Sequence, residues 1–200
     1  MKKLIVLIAT FASCIYANAQ QNLTIGSYYS SYFENEREIW ASKDSDGLYQ
    51  VTILVEGEYS KETVAIRVKG ADLQNFINAL VLIREKFVEW DNVAKQNNVK
   101  KIRKPFDITF PHVTVAWYGS QWYFSFYHKL EPDFMVLEST GTSHVVFNEK
   151  VKSSSNEYID QKYYLVFSSA QEIDNLISMI KPEAIKIKMD QKDSQADLFK

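Results

Sequence analysis

The period of the hydrophobic pattern changes at Gly70, and this change restricts the possible folds more than any other feature of the sequence. Before Gly70, apolar residues alternate along Leu48 to Glu56 and along Thr63 to Lys69, as expected of strands that bury one face. After Gly70, apolar residues recur every three or four positions, which predicts an amphipathic helix from about Asp72 to about Lys95. Since the apolar stripe of a helix must be buried against another element, we expect this helix to cover a sheet.

The second half of the chain shows the same order of elements. Alternating runs from Val145 to Val151 and from Lys162 to Ser168 predict two strands, and a helical pattern begins near Ala170 and ends before Pro182. The apolar positions of this second helix lie one hundred residues after those of the first. An ancestral duplication of a strand–strand–helix unit explains the match, but any two helices that pack on a sheet need the same spacing.

A β-hairpin is predicted between these two units, where Gly119 and Ser120 join the strongly patterned runs Asp107 to Tyr118 and Gln121 to Lys129. Glycine at the first of two loop residues favours a type II′ turn, and a two-residue turn fixes the strand register. The cross-strand pairs expected on the apolar face are Trp117 with Trp122, Val115 with Phe124 and Val113 with Phe126.

The other face of this hairpin is the candidate binding surface. It carries four residues whose rings lie beside polar atoms, namely His112, Tyr118, Tyr123 and Tyr127. Such a surface suits a sugar, an extended peptide or a partner protein. The alternative interpretation is that another layer of the protein covers this face, or that the tyrosines are ordinary sheet residues.

The whole pattern predicts an α+β fold, in which a mainly antiparallel sheet has two helices packed on one face. We expect one domain over residues 20–190 and a polar tail over residues 191–200. The run from Ala184 to Met189 alternates briefly and predicts a last strand that closes the sheet.

Residues 1–19 have the features of a secretory signal peptide. Two lysines precede a short apolar run, and the small residues at positions 17–19 predict cleavage before Gln20. Because the run is too short to span a bilayer, we expect no transmembrane helix in the mature chain. The segment from Phe11 to Cys14 offers an alternative, since it resembles a bacterial lipobox and a lipidated Cys14 would tether the protein to a membrane surface.

Charge and cysteine content restrict the partners and the source. Cleavage before Gln20 removes two of the 23 basic residues and leaves 21 against 25 acidic ones, a formal charge of −4. This acidity, together with export, argues against a nucleic-acid partner. Cys14 is the only cysteine, so a chain that starts at Gln20 depends on its hydrophobic core without disulfides. The short signal, the lack of cysteine and the abundance of Lys, Asn, Ile and Tyr indicate a bacterial protein.

No motif in the sequence predicts catalytic residues, a metal or a cofactor. The chain contains no Gly-x-Ser-x-Gly elbow, no glycine-rich phosphate loop and no histidine pair at a metal-binding spacing. The segment from Asp44 to Gly47 is similar to part of a calcium loop, but Ile53 stands at the closing glutamate position, so we expect a hairpin turn. The basic residues from Lys100 to Lys104 predict a solvated helix end, with contact to anionic lipids or acidic glycans as the alternative.

These observations favour an exported bacterial protein that is a non-enzymatic binding or interaction module of the periplasm or cell surface. The expected partner is an unidentified protein or glycan, contacted through the tyrosine-bearing face of the hairpin. The alternative is an exported hydrolase whose site is assembled from distant acidic and histidine residues.

Overall fold

The structure is a computed structural model that describes residues 22–58 and 63–197. The predicted signal peptide and Cys14 lie outside the described residues. The described strands are β1 (Leu23–Ser30), β2 (Asn35–Lys43), β3 (Tyr49–Gly57), β4 (Thr63–Val68), β5 (Ile102–Pro105), β6 (Val113–Tyr118), β7 (Trp122–His128), β8 (Asp133–Val136), β9 (Ser143–Lys152) and β10 (Asp160–Phe167). The described helices are α1 (Leu73–Gln96), α2 (Ala170–Ile180) and α3 (Pro182–Asp197), and a 3₁₀ turn (Gly70–Asp72) precedes α1.

The described strands pair antiparallel and form one sheet. The order across the sheet is β5-β8-β9-β10-β3-β4-β6-β7, while β2 pairs with another part of β3 and β1 pairs with β2. The predicted α+β fold, with helices packed on an antiparallel sheet, is confirmed. The strand–strand–helix order occurs twice, as β3-β4-α1 and β9-β10-α2, and the common ancestry of these two units stays a hypothesis.

The helices cover the face of the sheet on which apolar side chains stand at every second strand position. On β3 this face carries Val51, Ile53 and Val55, all of them buried. The predicted first helix is confirmed to within one residue at each end, and its apolar stripe joins the same core. The large buried side chains of that stripe are Leu73, Phe76, Ile77, Leu80, Ile83 and Phe87. α1 also packs against α2, so the two helices form one layer above the sheet.

The prediction of a strand from Ala184 to Met189 is wrong, because these residues belong to α3. Pro182 begins this helix, and a proline at the first helical position gives up only an N–H that has no helical partner. Of the apparently alternating residues, Ile185 is buried but Ile187 is 58 % exposed. Residues two positions apart point to different sides of a helix, so the short alternation did not mark a sheet face. The predicted polar tail is also helical as far as Asp197.

The sheet curls so that the outer edge of β7 meets the segment that follows β9. Ser154 N donates a hydrogen bond to Phe124 O over 2.8 Å, and Phe126 N donates to Ser154 Oγ over 3.0 Å. These bonds satisfy backbone groups that would otherwise form an unpaired strand edge. Phe126 nevertheless remains 53 % exposed.

β3 connects the two halves of the sheet. Residues 49–53 pair with β2, and the last residues of the strand pair with β10. Where β2 leaves β3, side chains replace the backbone ladder, and Tyr28 Oη donates to Leu54 O over 3.0 Å. Beside it, Arg37 forms an ion pair with Glu56, and Arg37 Nε donates to the carboxylate over 2.7 Å. Because Glu56 is only 8 % exposed, its charge depends on Arg37 for compensation.

Replacement of Arg37 by methionine is expected to lower the free energy of unfolding by about 2–3 kcal/mol, because it leaves the buried carboxylate of Glu56 without a cation. Arg84→Met is the matched control, since the side chains of Arg84 and its partner Asp174 are 40 % and 41 % exposed. Exposed ion pairs contribute less than about 1 kcal/mol. Urea denaturation measures both changes, and equal destabilisation by the two substitutions would contradict the structural role of Arg37.

Candidate functional site

The hairpin of β6 and β7 is present, but its predicted register is wrong by one residue. The loop contains three residues, 119–121, and Gly119 N donates to Gln121 O over 3.0 Å. Tyr118 therefore pairs with Trp122, and Trp117 pairs with Tyr123. A shift of one residue moves every side chain of β7 to the other face of the sheet.

This shift separates the tyrosines that the sequence analysis placed together. Tyr123 lies on the face that meets the core, and its ring centroid is 5.9 Å from that of Trp117. Tyr118 lies on the opposite face beside Trp122, with ring centroids 5.6 Å apart, and it is 50 % exposed. We call this opposite face, which points away from the helices, the open face.

A β-bulge between Val113 and Val115 gives Tyr127 an unusual position. Val113 pairs with His128, so β7 contains an extra residue at this point. Tyr127 has φ of 56°, a left-handed backbone conformation that is uncommon outside glycine. Its side chain is 75 % exposed, and Lys69 Nζ lies 5.4 Å from the ring centroid.

A cleft of about 980 Å³ brings two of the predicted site residues together, His112 and Tyr127. Its lining includes two cations, Arg67 and Lys69, and one carboxylate, Asp72. The other lining residues are Gln50, Asn75, Pro111, Val113, Thr114, Phe124 and Phe126. Asp72 is the only carboxylate in this lining, and His112 is its only histidine.

A smaller cleft of about 170 Å³ adjoins the first, and both are lined by Arg67 and Phe124. The remaining residues of the smaller cleft are Asn22, Trp40, Thr52, Ala65, Ala116 and Trp122. We call the two adjoining clefts the Arg67 groove. It crosses the open face from β2 to β7, because Trp40, Thr52, Arg67 and Thr114 stand directly opposite one another on β2, β3, β4 and β6.

The guanidinium of Arg67 is half-buried at the junction of the two clefts. It forms one long hydrogen bond, from Nε to Thr52 Oγ1 over 3.4 Å. Among the described residues, Arg67 takes part in no ion pair. Burial lowers the pKa of Arg67 from its ordinary value, because removing water disfavours the charged form. An arginine side chain nevertheless stays protonated at physiological pH, so the groove contains an uncompensated positive charge.

Sequence analysis missed Arg67, although a signal was present. β4 reads Thr-Val-Ala-Ile-Arg-Val, and Arg67 is the only charged residue in it. A charged side chain inside an apolar strand is unusual, because charged groups are rarely buried without a partner. Phe124 and Trp122 were missed for another reason: the register error assigned them to the core face.

The two other histidines lie away from the Arg67 groove. His128 contacts core-side groups, with Nε2 3.0 Å from Tyr163 Oη and 3.1 Å from Glu149 Oε2. His144 Nδ1 lies 2.9 Å from Ser168 Oγ, and burial lowers the pKa of this histidine. Within residues 22–58 and 63–197, no three His, Cys, Asp or Glu side chains gather where they could hold a metal ion.

The loop that begins at Asp44 is the expected hairpin turn between β2 and β3. Asp44 Oδ1 accepts hydrogen bonds from the N–H groups of Asp46 and Leu48 over 3.0 Å and 2.9 Å. Gly47 follows with φ of 77°, which suits glycine. These bonds use the Asp44 carboxylate to close the turn.

The basic segment from Lys100 to Lys104 is not a helix end, because most of it forms the edge strand β5. Arg103 forms an ion pair with Asp133 over 2.6 Å, and Lys101 forms one with Glu138 over 2.8 Å. Lys104 Nζ lies 4.1 Å from the centroid of a tryptophan ring of α1. Acidic and aromatic partners within the fold therefore engage much of the positive charge of this segment.

Comparison of the chain with protein-family models, with curated proteins and with solved structures finds no match. No helix within the two described ranges combines the length and the apolar composition needed to span a bilayer. Function is therefore inferred from the Arg67 groove itself, since a fold class alone does not specify a function.

The two tyrosines of β7 are expected to respond oppositely to asparagine. Tyr127→Asn should leave the free energy of unfolding unchanged or raise it by up to about 1 kcal/mol, because asparagine adopts the left-handed conformation more readily. Tyr123→Asn should lower it by about 2 kcal/mol, because its ring packs on the core. Thermal and urea denaturation measure both values. A larger loss for Tyr127→Asn than for Tyr123→Asn would contradict the observed register.

Proposed function

We propose that the protein is an exported, non-enzymatic binding module that holds an anionic ligand in the Arg67 groove. The observation that supports this proposal is the half-buried guanidinium of Arg67, which has no carboxylate partner among the described residues. A buried charge without a partner carries a desolvation cost. An anion that enters the groove pairs with the guanidinium and offsets this desolvation cost, whereas a neutral ligand does not. The groove should therefore select negatively charged ligands.

The shape of the guanidinium favours planar anions. Arginine presents several N–H donors in one plane and can bind a carboxylate through two parallel hydrogen bonds. Among residues 22–58 and 63–197, Arg67 has one hydrogen-bond partner, Thr52, which Nε contacts, so the terminal nitrogens have no partner in this part of the chain. A carboxylate is therefore the anion that this geometry favours.

The aromatic residues of the groove supply apolar contact area beside the charge. Trp122 is 43 % exposed, and Phe124 stacks on Phe126 with ring centroids 5.7 Å apart. Aromatic side chains bury large areas at little cost in conformational entropy, which makes them effective at binding surfaces. The ligand is thus expected to combine an anionic group with a flat or apolar body.

Titration with benzoate tests the charge at this site, because benzoate joins a carboxylate to a flat apolar ring. The Nε–Hε resonance of Arg67 is expected to shift with benzoate and to reach a plateau at millimolar concentration. Benzamide, which has the same shape without the charge, should not shift the Nε–Hε resonance of Arg67. The measurement is an NMR titration of the arginine side-chain resonances.

Two variants provide the controls for this titration. Arg67→Gln should abolish the shifts that benzoate causes at the neighbouring Thr114 and Phe124 amides. Arg84→Gln should preserve them, because Arg84 already pairs with Asp174 away from the groove. Equal shifts with benzoate and benzamide, or no shift at Arg67, would contradict the proposal.

Export is the second part of the proposal, supported by the charged start, apolar run and small residues of the first nineteen positions. Expression in a bacterium is expected to yield a mature protein that begins at Gln20. Intact-mass measurement and N-terminal sequencing check this outcome. A chain that begins at a lipid-modified Cys14 would instead show that the protein is tethered to a membrane.

A further inference from the structure

We propose that the anionic ligand is an acidic carbohydrate chain that lies across the strands, with one sugar carboxylate on Arg67. This inference rests on the proposed function and adds the class of ligand. Five features of the open face support it: the direction of the groove, the pairing of the strands beneath it, the neutral polar groups of its lining, its exposed aromatic rings and its balance of charge.

The groove is longer than a single sugar. It crosses the strands, since Trp40, Thr52, Arg67 and Thr114 occupy directly opposite positions on four neighbouring strands. Adjacent strands lie about 4.8 Å apart, so the path from β2 to β7 measures roughly 19 Å. A ligand that fills both clefts is therefore an extended chain of several units.

The strands beneath the groove exclude the commonest way in which a sheet binds a peptide. An extended peptide usually adds to an unpaired strand edge through its backbone. Here β3, β4 and β6 are paired on both sides, and Ser154 bonds to the outer edge of β7. A ligand on the open face meets side chains only, so recognition depends on groups that the ligand carries along its length.

The neutral polar side chains of the groove match hydroxyl groups. Gln50, Asn75 and Thr114 line the larger cleft, and Asn22 and Thr52 line the smaller one. Amide and hydroxyl groups both donate and accept hydrogen bonds, as sugar hydroxyls do.

The aromatic rings beside these polar groups suit the other surface of a sugar ring. Trp122 and Phe126 are 43 % and 53 % exposed on the open face. A pyranose has flat patches of C–H groups that bury apolar area against such rings. Both rings and hydrogen-bonding groups line the groove, and a carbohydrate can use both.

The charges of the groove favour widely spaced carboxylates. Lys69 stands two residues after Arg67 on the same side of the chain, about 7 Å away, and provides a second cation. Asp72 lines the same cleft and offsets one of these charges. A densely sulfated chain would place further anions near Asp72, whereas a polymer with one carboxylate per sugar can avoid it. We therefore expect a uronic-acid type of chain.

Calorimetric titration of the mature protein with defined trimers tests the inference. The probes are trimers of galacturonic, glucuronic and mannuronic acid, their neutral hexose counterparts, and triglutamate as an acidic peptide. At least one uronic-acid trimer is expected to bind at least tenfold more tightly than both its neutral counterpart and triglutamate. Its binding should shift the indole N–H resonances of Trp40 and Trp122.

Variants separate the contributions to this binding. Arg67→Gln should weaken the best trimer at least tenfold, and Trp122→Ala should weaken it as well. Arg84→Gln should have no effect on either ligand. Circular dichroism and urea denaturation of each variant establish that it is folded.

The outcomes distinguish failure of the carbohydrate inference from failure of the anion-binding function. If benzoate titrates Arg67 but none of the uronic-acid trimers binds, the carbohydrate inference is wrong and the anion-binding function stands. If triglutamate binds as tightly as the best trimer, the ligand is an acidic peptide and the inference is again wrong. If neither benzoate nor any trimer acts on Arg67, both proposals fail.

Discussion

The structure depends on the way in which β3 divides its hydrogen bonds among three neighbours. β4 pairs along one side, while the other side passes from β2 to β10 within a few residues. At that point the backbone ladder is interrupted, and Tyr28, Arg37 and Glu56 supply hydrogen bonds and charge in its place. A gap of this kind is tolerated only if its polar groups are satisfied, because unpaired groups in a buried position are costly. This division of β3 is a branch point of the sheet. It joins β2, β4, β6 and β7, which carry the groove, to β9 and β10, which precede α2.

The branch also explains why one sheet can provide two different surfaces. The alternate side chains of β3 and β4 face the helices as a continuous apolar layer, and those between them form the open face. Arg67 is placed on the open face by this alternation. Its neighbours Ile66 and Val68 are fully buried on the other side, so the strand cannot turn to offer Arg67 more water. The same core packing that stabilises the fold therefore keeps a cation half-buried.

The sequence predicts an element accurately where many residues follow one hydrophobic pattern. Eight buried residues mark one stripe of α1, so its ends were placed to within one residue. Prediction failed where a single residue decided the outcome. A loop of three residues after Tyr118, in place of two, exchanges the faces of β7, and the bulge near Tyr127 adds a second shift. The local sequence does not distinguish a two-residue loop from a three-residue loop. The predicted site is therefore divided in the structure: His112 and Tyr127 line one cleft, whereas Tyr123 packs on the core.

The bonds between Ser154 and β7 have a consequence for solubility. Four large aromatic side chains of the hairpin are at least 43 % exposed, namely Tyr118, Trp122, Phe126 and Tyr127. Exposed aromatic residues on a strand with an open edge favour pairing with other chains and aggregation. Ser154 occupies the edge at Phe124 and Phe126 through the chain's own backbone and hydroxyl group. Ser154 thus hinders strand addition at β7, the strand that carries three of the four exposed aromatic side chains.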